Sequence, residues 1–344
     1  MKKAVIALVF LCIAVVLWYV VSFPYTSVYK RDSVEGVVPT TSKEIAQVPL
    51  LFLGDIMMGR FVETLARTYT DTSFMFASTS EYLKKHTTIA NLEGPIPNRH
   101  TQTPVNGFGF SFPPYTASVL KGNGIHAVSL SNNHMYDKGR TGYEETIRAL
   151  ESEGVGYFGG YASKDDVSLA VALGEKKVII YGMTMISSLW NETQSLTLLE
   201  RVIEENPNAH IVVFVHWGDE YVTQNKYQQT FAHTLIDRGV GTVIGSHPHV
   251  VQGVEVYKGK PIFYSLGNFI FDQYWRDDLE DGYMVRMSYN EQSFLYDLVP
   301  VHSVRSVPSL AEGKDKERIL SSIARQSLAS LQSSIVGGRI VVPR

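Results

Sequence analysis

The chain of 344 residues has one cysteine, Cys12, so it can form no internal disulfide and must hold its fold by packing. Basic residues never run beyond two in a row, and the formal net charge is −3 with the histidines neutral. That balance offers no broad cationic surface, which makes nucleic acid a poor partner. A P-loop and a Gly-x-Ser-x-Gly elbow are also missing, which disfavours P-loop nucleotide binding and a serine-hydrolase mechanism. No stretch rich in proline, glycine and serine interrupts the chain after Leu50, so one domain is the simpler reading.

What is present begins with a long apolar run. Lys2 and Lys3 precede an uncharged stretch from Ala4 to Val21, about the length that spans a bilayer as a helix, with Trp18 and Tyr19 at its outer edge. The flanking charge predicts a single pass, with the N-terminus cytoplasmic and the remainder extracytoplasmic. Trp18 to Pro24 lacks the small-residue pair of a cleavage site, and Cys12 lies mid-run rather than at its end. An uncleaved, unlipidated membrane anchor over residues 1–23 is therefore expected, followed by a polar, aperiodic linker over 24–48.

Beyond the linker, short apolar runs end in polar clusters. Pro49 to Leu53 leads into Asp55, Thr88 to Ala90 into Glu93, Ala127 to Leu130 into Asn133, Ile211 to Val215 into His216, and Gly241 to Ile244 into His247 and His249. Runs of this kind suit strands buried on both faces, and the stretches between them, such as Gly142 to Glu151 and Tyr227 to Arg238, have helical periodicity. Alternating strands and helices predict an α/β fold whose ligand sites gather beyond the carboxyl ends of the strands. Asp55 and Glu93 offer anionic oxygens there, and Asn133, His216, His247 and His249 offer neutral donors, a set suited to divalent zinc, manganese or iron. One histidine alone would more often be structural; six candidate ligands at five strand ends point to metal. Pro248 between His247 and His249 can turn both imidazoles toward one place.

The blocks Gly54 to Arg60, Asn91 to Gly94, Ser131 to Gly139, His216 to Tyr221, Gly245 to Gln252 and Tyr264 to Phe269 resemble those of the bacterial CapA family of capsule synthesis, associated with poly-γ-glutamate. That family in turn is similar to calcineurin-like metallophosphoesterases. The resemblance runs from about Leu50 to Val301 and implies a four-layer α/β/β/α sandwich with a two-metal site. Carried over position by position, Asp55, Glu93 and His249 would hold one ion, and Glu93, Asn133, His216 and His247 the other. His134 would face the leaving group. The chain departs from the phosphoesterase pattern at Met57, where a histidine ligand is usual, and at Glu93, in place of a bridging aspartate. A thioether is a poor donor for such ions, which weakens the first site and assigns Met57 to the core.

Several residues keep two readings. Asp137 could orient His134 or stabilise its loop. Arg60 could clamp a phosphate or carboxylate, or form a surface ion pair. Asn268 could bind substrate or complete a turn. Trp217, Glu220 and Tyr221 could line a polymer site or simply pack. The irregular stretch from Val105 to Pro114 could overhang the site or be a connector anchored by Phe108, Phe110 and Phe112. Tyr283 to Val301 reads as a hairpin around Asn290 to Gln292. Lys314 to Leu331 places Ile319, Leu320, Ile323, Leu328 and Leu331 on one helical face, so residues 303–344 are expected to be a helical extension packed on a domain spanning 49–302. Two functions remain: a membrane-anchored metal-dependent hydrolase or transferase acting on a phosphoester or amide of an anionic capsule-type polymer or its precursor, or an accessory subunit that binds the polymer or a membrane synthase without turnover.

Overall fold

The buried apolar runs become strands that feed two sheets in succession. β1 (Leu50–Ile56), β2 (Thr87–Leu92), β3 (Ile125–Ser129) and β4 (Gly156–Phe158) lie side by side and parallel in the first sheet. The chain then crosses to a second sheet of β5 (Ser168–Leu173), β6 (Lys176–Thr184), β7 (His210–His216), β8 (Thr242–Ser246), β9 (Val254–Tyr257) and β10 (Lys260–Phe263), in spatial order 5-6-7-8-10-9. It returns to the first sheet through β11 (Asn268–Ile270), β12 (Asp281–Tyr289), β13 (Ser293–Val304), β14 (Val307–Leu310) and β15 (Arg339–Pro343). This computed structural model describes residues 48–160 and 167–344. The expected anchor and nearly all of the linker lie outside the described residues, among which no helix is long and apolar enough to cross a membrane.

The helices of five residues or more are α1 (Arg60–Tyr69), α2 (Thr116–Gly122), α3 (Gly139–Glu153), α4 (Glu192–Glu205), α5 (Lys226–Asp237), α6 (Gly313–Arg325) and α7 (Gln332–Val336). Their starts follow local chemistry. Asn225 and Gln228 form a reciprocal capping box at α5, and Asn191 caps α4 through the Gln194 amide.

Three apolar clusters separate the layers. Leu51, Leu53, Ala90 and Val128 of the first sheet pack on Val62 and Leu65 of α1, Leu120 of α2 and Leu150 of α3. The opposite face of that sheet, with Leu50, Phe52 and Ile89, meets Val178, Ile180, Val212, Phe214 and Ile244 of the second. Val213 and Val215 then point outward to Leu199 of α4 and Leu235 of α5. Period-two alternation makes each central strand contribute to two cores, which is why these runs read as almost uniformly apolar. The order helix, sheet, sheet, helix is that of a mixed α/β fold.

The C-terminal segment departs from expectation. β13 runs through the predicted boundary at 302, and β14 and β15 both pair antiparallel with it, so residues 303–344 complete the first sheet rather than form a purely helical extension. α6 ends at Arg325 and leaves Leu328 56 % exposed, outside the helical face assigned to it. The hairpin is as read: Tyr289 pairs with Phe294, and Asn290 Oδ1 accepts from the Gln292 and Ser293 amides.

Candidate metal centre

Both sheets direct the carboxyl ends of their parallel strands to one place. Asp55 is the penultimate residue of β1, Glu93 directly follows β2, and Asn133 lies in the loop after β3; His216 ends β7, and His247 and His249 follow β8. Local features make this convergence possible. Gly54 has no room for a side chain, because a Cβ there would sit 1.9 Å from the Gly267 carbonyl oxygen where the chain enters β11. His247 and His249 have φ of 96° and 61°, a left-handed backbone unusual outside glycine, on either side of Pro248. This paired strain brings their ring centroids to 5.9 Å and turns both toward the acids.

The six expected ligands meet at these strand ends. Donor atoms of Glu93, His247 and His249 lie within 4.8 Å of one another, as do those of Asp55, Glu93 and His216. Glu93 is thus common to both groups, as a bridging carboxylate would be. Asn133 Oδ1 lies 2.8 Å from His216 Nε2, a spacing at which both could serve one ion. His249 Nε2 is 3.7 Å from Glu93 Oε1, and its Nδ1 is 3.5 Å from Asp55 Oδ2.

The electrostatics of this cluster call for a cation. Asp55, Glu93, His216, His247 and His249 are all at most 4 % exposed. Burial, with Asp55 alongside, pushes the Glu93 carboxyl well above the usual carboxylate range. Burial also holds His216 well below the ordinary imidazole value, with His247 and His249 adding to the effect, and takes His247 down to about 4. The neutral imidazoles are therefore ready as donors. Glu93 Oε1 and His247 Nδ1 are buried without a hydrogen-bond partner, a costly arrangement that a bound divalent ion would relieve. The residues present fit a metal centre.

Asn91, which was not singled out in the sequence, lies at its heart. Its Nδ2 donates to Asp55 Oδ1 at 2.7 Å and sits 3.3 Å from His216 Nδ1, while its Oδ1 accepts from Asn132 Nδ2. The available signal was its register: Asn91 pairs with Asp55 across β1 and β2, which puts both on one side of the sheet. Ser246 Oγ, 3.0 Å from His216 Nδ1, escaped notice in the same way.

At the rim, His134 Nδ1 donates to Asp137 Oδ2 at 2.8 Å, and the same oxygen accepts from the Phe110 amide at 2.6 Å. Asp137 therefore performs both the orienting and the loop-holding role. Phe110 stacks on the His134 ring at 3.9 Å, so the irregular stretch does reach the site. Phe110 and Phe112 are buried, whereas Phe108, expected as an anchor, is 79 % exposed.

Arg60 is buried rather than part of a surface pair. Its guanidinium is bound to Asp272 between the rings of Phe110 and Phe271, and Asp272 also accepts from the Phe61 amide at the start of α1. Asn268 is likewise buried and fully engaged by His249, Gln273 and the Leu279 carbonyl. Met57 is buried in the core, its Sδ accepting from the Gly59 amide, as the thioether chemistry predicts. Trp217 is packing: it is fully buried, stacked on Tyr264 and bonded to that residue's carbonyl. Tyr221 instead stacks on His249 at 6.0 Å, and Glu220 is exposed beside it.

The family described as bacterial capsule synthesis protein PGA_cap matches residues 49–273, well over half of the chain and every candidate metal ligand. The chain belongs to this capsule-synthesis family. The "Capsule biosynthesis protein CapA" of Bacillus anthracis is 29 % identical over 85 % of this chain and 77 % of its own length. The "PGA biosynthesis protein CapA" of Bacillus subtilis is 26 % identical over 95 % of this chain and 89 % of its own. A "Probable polyglutamine synthesis accessory protein" of Mycobacterium tuberculosis is 27 % identical over 43 % of this chain and 45 % of its own. As a CapA-family protein, this chain belongs to capsule and poly-glutamate biosynthesis.

Proposed function

We propose that this chain is a metal-dependent hydrolase of metallophosphoesterase-like architecture, acting on an anionic, glutamate-based capsule polymer or its precursor. In this reading the N-terminal apolar segment holds the domain at the extracytoplasmic face of the cell membrane. The observation that carries it is Glu93, a fully buried carboxylate with one oxygen unpartnered and imidazoles on both sides. The names of the CapA relatives support the polymer class.

Asp55, Glu93, Asn133, His216, His247 and His249 would hold two divalent ions, manganese, zinc or iron. Such ions supply activation of water and polarisation of a phosphoryl or carbonyl group. The protein's own contribution is orientation and proton handling. Because Nδ1–H of His134 is fixed by Asp137, Nε2 is the atom left to share or deliver a proton at a departing oxygen or nitrogen. Phe110 covers one face of that imidazole and fixes its plane. A cavity of about 580 Å³ adjoins the loop that carries Asn133 and His134, through Ser131 and Tyr136, and gives room for a substrate segment.

A second reading, an accessory subunit that binds polymer or a membrane synthase, is favoured by Met57, which removes an imidazole from the metallophosphoesterase pattern. The test is turnover by the full chain, reloaded with manganese or zinc, on phosphoesters and γ-glutamyl amides. The hydrolase reading predicts product release that disappears in His134→Ala while bound metal stays constant. Bound metal without release from either substrate class would support the accessory reading.

A further inference from the structure

His249 stands inside a closed circuit of contacts that decides which of its nitrogens carries the proton. Asn268 begins β11 in register with Asp55 of β1, and its side chain is 3 % exposed. One vertex of its amide lies 3.0 Å from the Leu279 backbone carbonyl, which can only accept, so that vertex is Nδ2. Nδ2 also donates to Gln273 Oε1 at 3.0 Å. The other vertex, Oδ1, then faces His249 Nδ1 at 2.9 Å, and an amide oxygen requires a donor there. Gln273 Nε2 in turn donates to the Tyr221 hydroxyl, and the Tyr221 ring stacks back on His249.

We propose that Asn268 is a positioning residue that fixes His249 with its proton on Nδ1 and Nε2 bare, and so aims Nε2 at an ion shared with Glu93. The inference deepens the metal-centre reading above and rests on it for the ion. The geometry supplies what a ligating imidazole needs from its surroundings: a fixed tautomer, a fixed ring plane and a lone pair directed at the site. The Leu279 carbonyl and Gln273 Oε1 keep Asn268 from flipping its amide, because the reversed amide would oppose oxygen to both; the Gln273 Nε2 bond to Tyr221 holds Oε1 in place. This role accounts for all the polar valences of Asn268 that the structure records.

The test has two parts, both on the full chain. Nitrogen-15 spectra of histidine-labelled, metal-free protein should show His249 as the Nδ1–H tautomer; the Nε2–H form would overturn the proposal without any variant. Manganese and zinc titrations then compare Asn268→Leu, which deletes the amide, with Gln273→Met, which leaves Asn268 Oδ1 against His249. Asn268→Leu should lower affinity by roughly 10- to 100-fold, while Gln273→Met stays much closer to wild type because the Leu279 carbonyl still holds the amide. Unchanged affinity in Asn268→Leu, or an equal loss in Gln273→Met, would overturn the positioning role. A wild-type chain that binds no metal would instead overturn the hydrolase reading, and the tautomer would still decide separately whether Asn268 orients the ring.

Discussion

The two sheets bring different chemistry to the same place. The first contributes Asp55, Glu93, Asn91 and Asn133, all oxygen or amide groups; the second contributes His216, His247 and His249, all imidazoles. Neither sheet alone holds the mixed donor set of a metal centre. The cluster exists only where the strand ends of both sheets converge, and the apolar seam between the sheets is what keeps them together. Packing and chemistry are therefore coupled: the edge-to-face pair of Phe52 and Phe214, 6.2 Å apart, lies in the seam that supports the site.

The comparison can be sharpened from the largest effect downward. His134 belongs to the first sheet's loop but to neither donor group, so His134→Ala should cut turnover by roughly 10²–10⁴-fold with bound metal unchanged, as elemental analysis beside a rate assay would show. Parallel loss of metal and rate would make it a ligand. Phe214→Ala, at the seam, should cost about 3–5 kcal/mol in urea unfolding and lower metal retention only as the fold weakens.

His210 tests the seam at its far end. The ring lies 4.4 Å from Phe294 of the first sheet and bonds Thr242 at 2.9 Å. Burial, reinforced by Lys260 and Lys176, lowers it to about 3 from 6.5. It stays neutral in the fold while the unfolded chain takes up a proton, so its contribution is intact above about 6.5 and lost as the pH falls toward 3. His216 and His247 act in the same direction and Glu93 in the opposite one, so the decisive quantity is a difference between proteins. Metal-free His210→Asn should lose less stability than the wild type over that interval; equal slopes would show that His210 is not held neutral. The smallest effect belongs to Met57→Leu, expected to cost less than about 1.5 kcal/mol and to leave metal content unchanged. A change in metal content would make the thioether a ligand.

Much of this arrangement was legible because buried strands announce themselves and their ends carry the chemistry. The run Ile211 to Val215 predicted β7 and placed His216, and the Asn-Asn-His block placed His134 beside a candidate ligand. Long-range partnerships were not legible. Asp272 answers Arg60 across 212 residues, and no local pattern announces such a pair. Asn268 follows a glycine, which reads as a turn, yet its neighbours place it on a short parallel strand against β1. The C-terminal strands were hidden by brevity: Val307–Leu310 has four residues, and Arg339–Pro343 alternates exposed and buried positions beside two helices that dominate the pattern. Register, rather than composition, brought Asn91 to the centre.

The central claim is that a carboxylate of the first sheet is shared between metal groups completed by the second. The most direct test is elemental analysis of the full chain, purified without chelators or a polyhistidine tag and reloaded with manganese or zinc, alongside Glu93→Gln. The account predicts two ions per chain in the wild type and loss of both in the variant, because Glu93 is common to both donor groups. Two ions retained after Glu93→Gln, or none in a folded wild type, would contradict it.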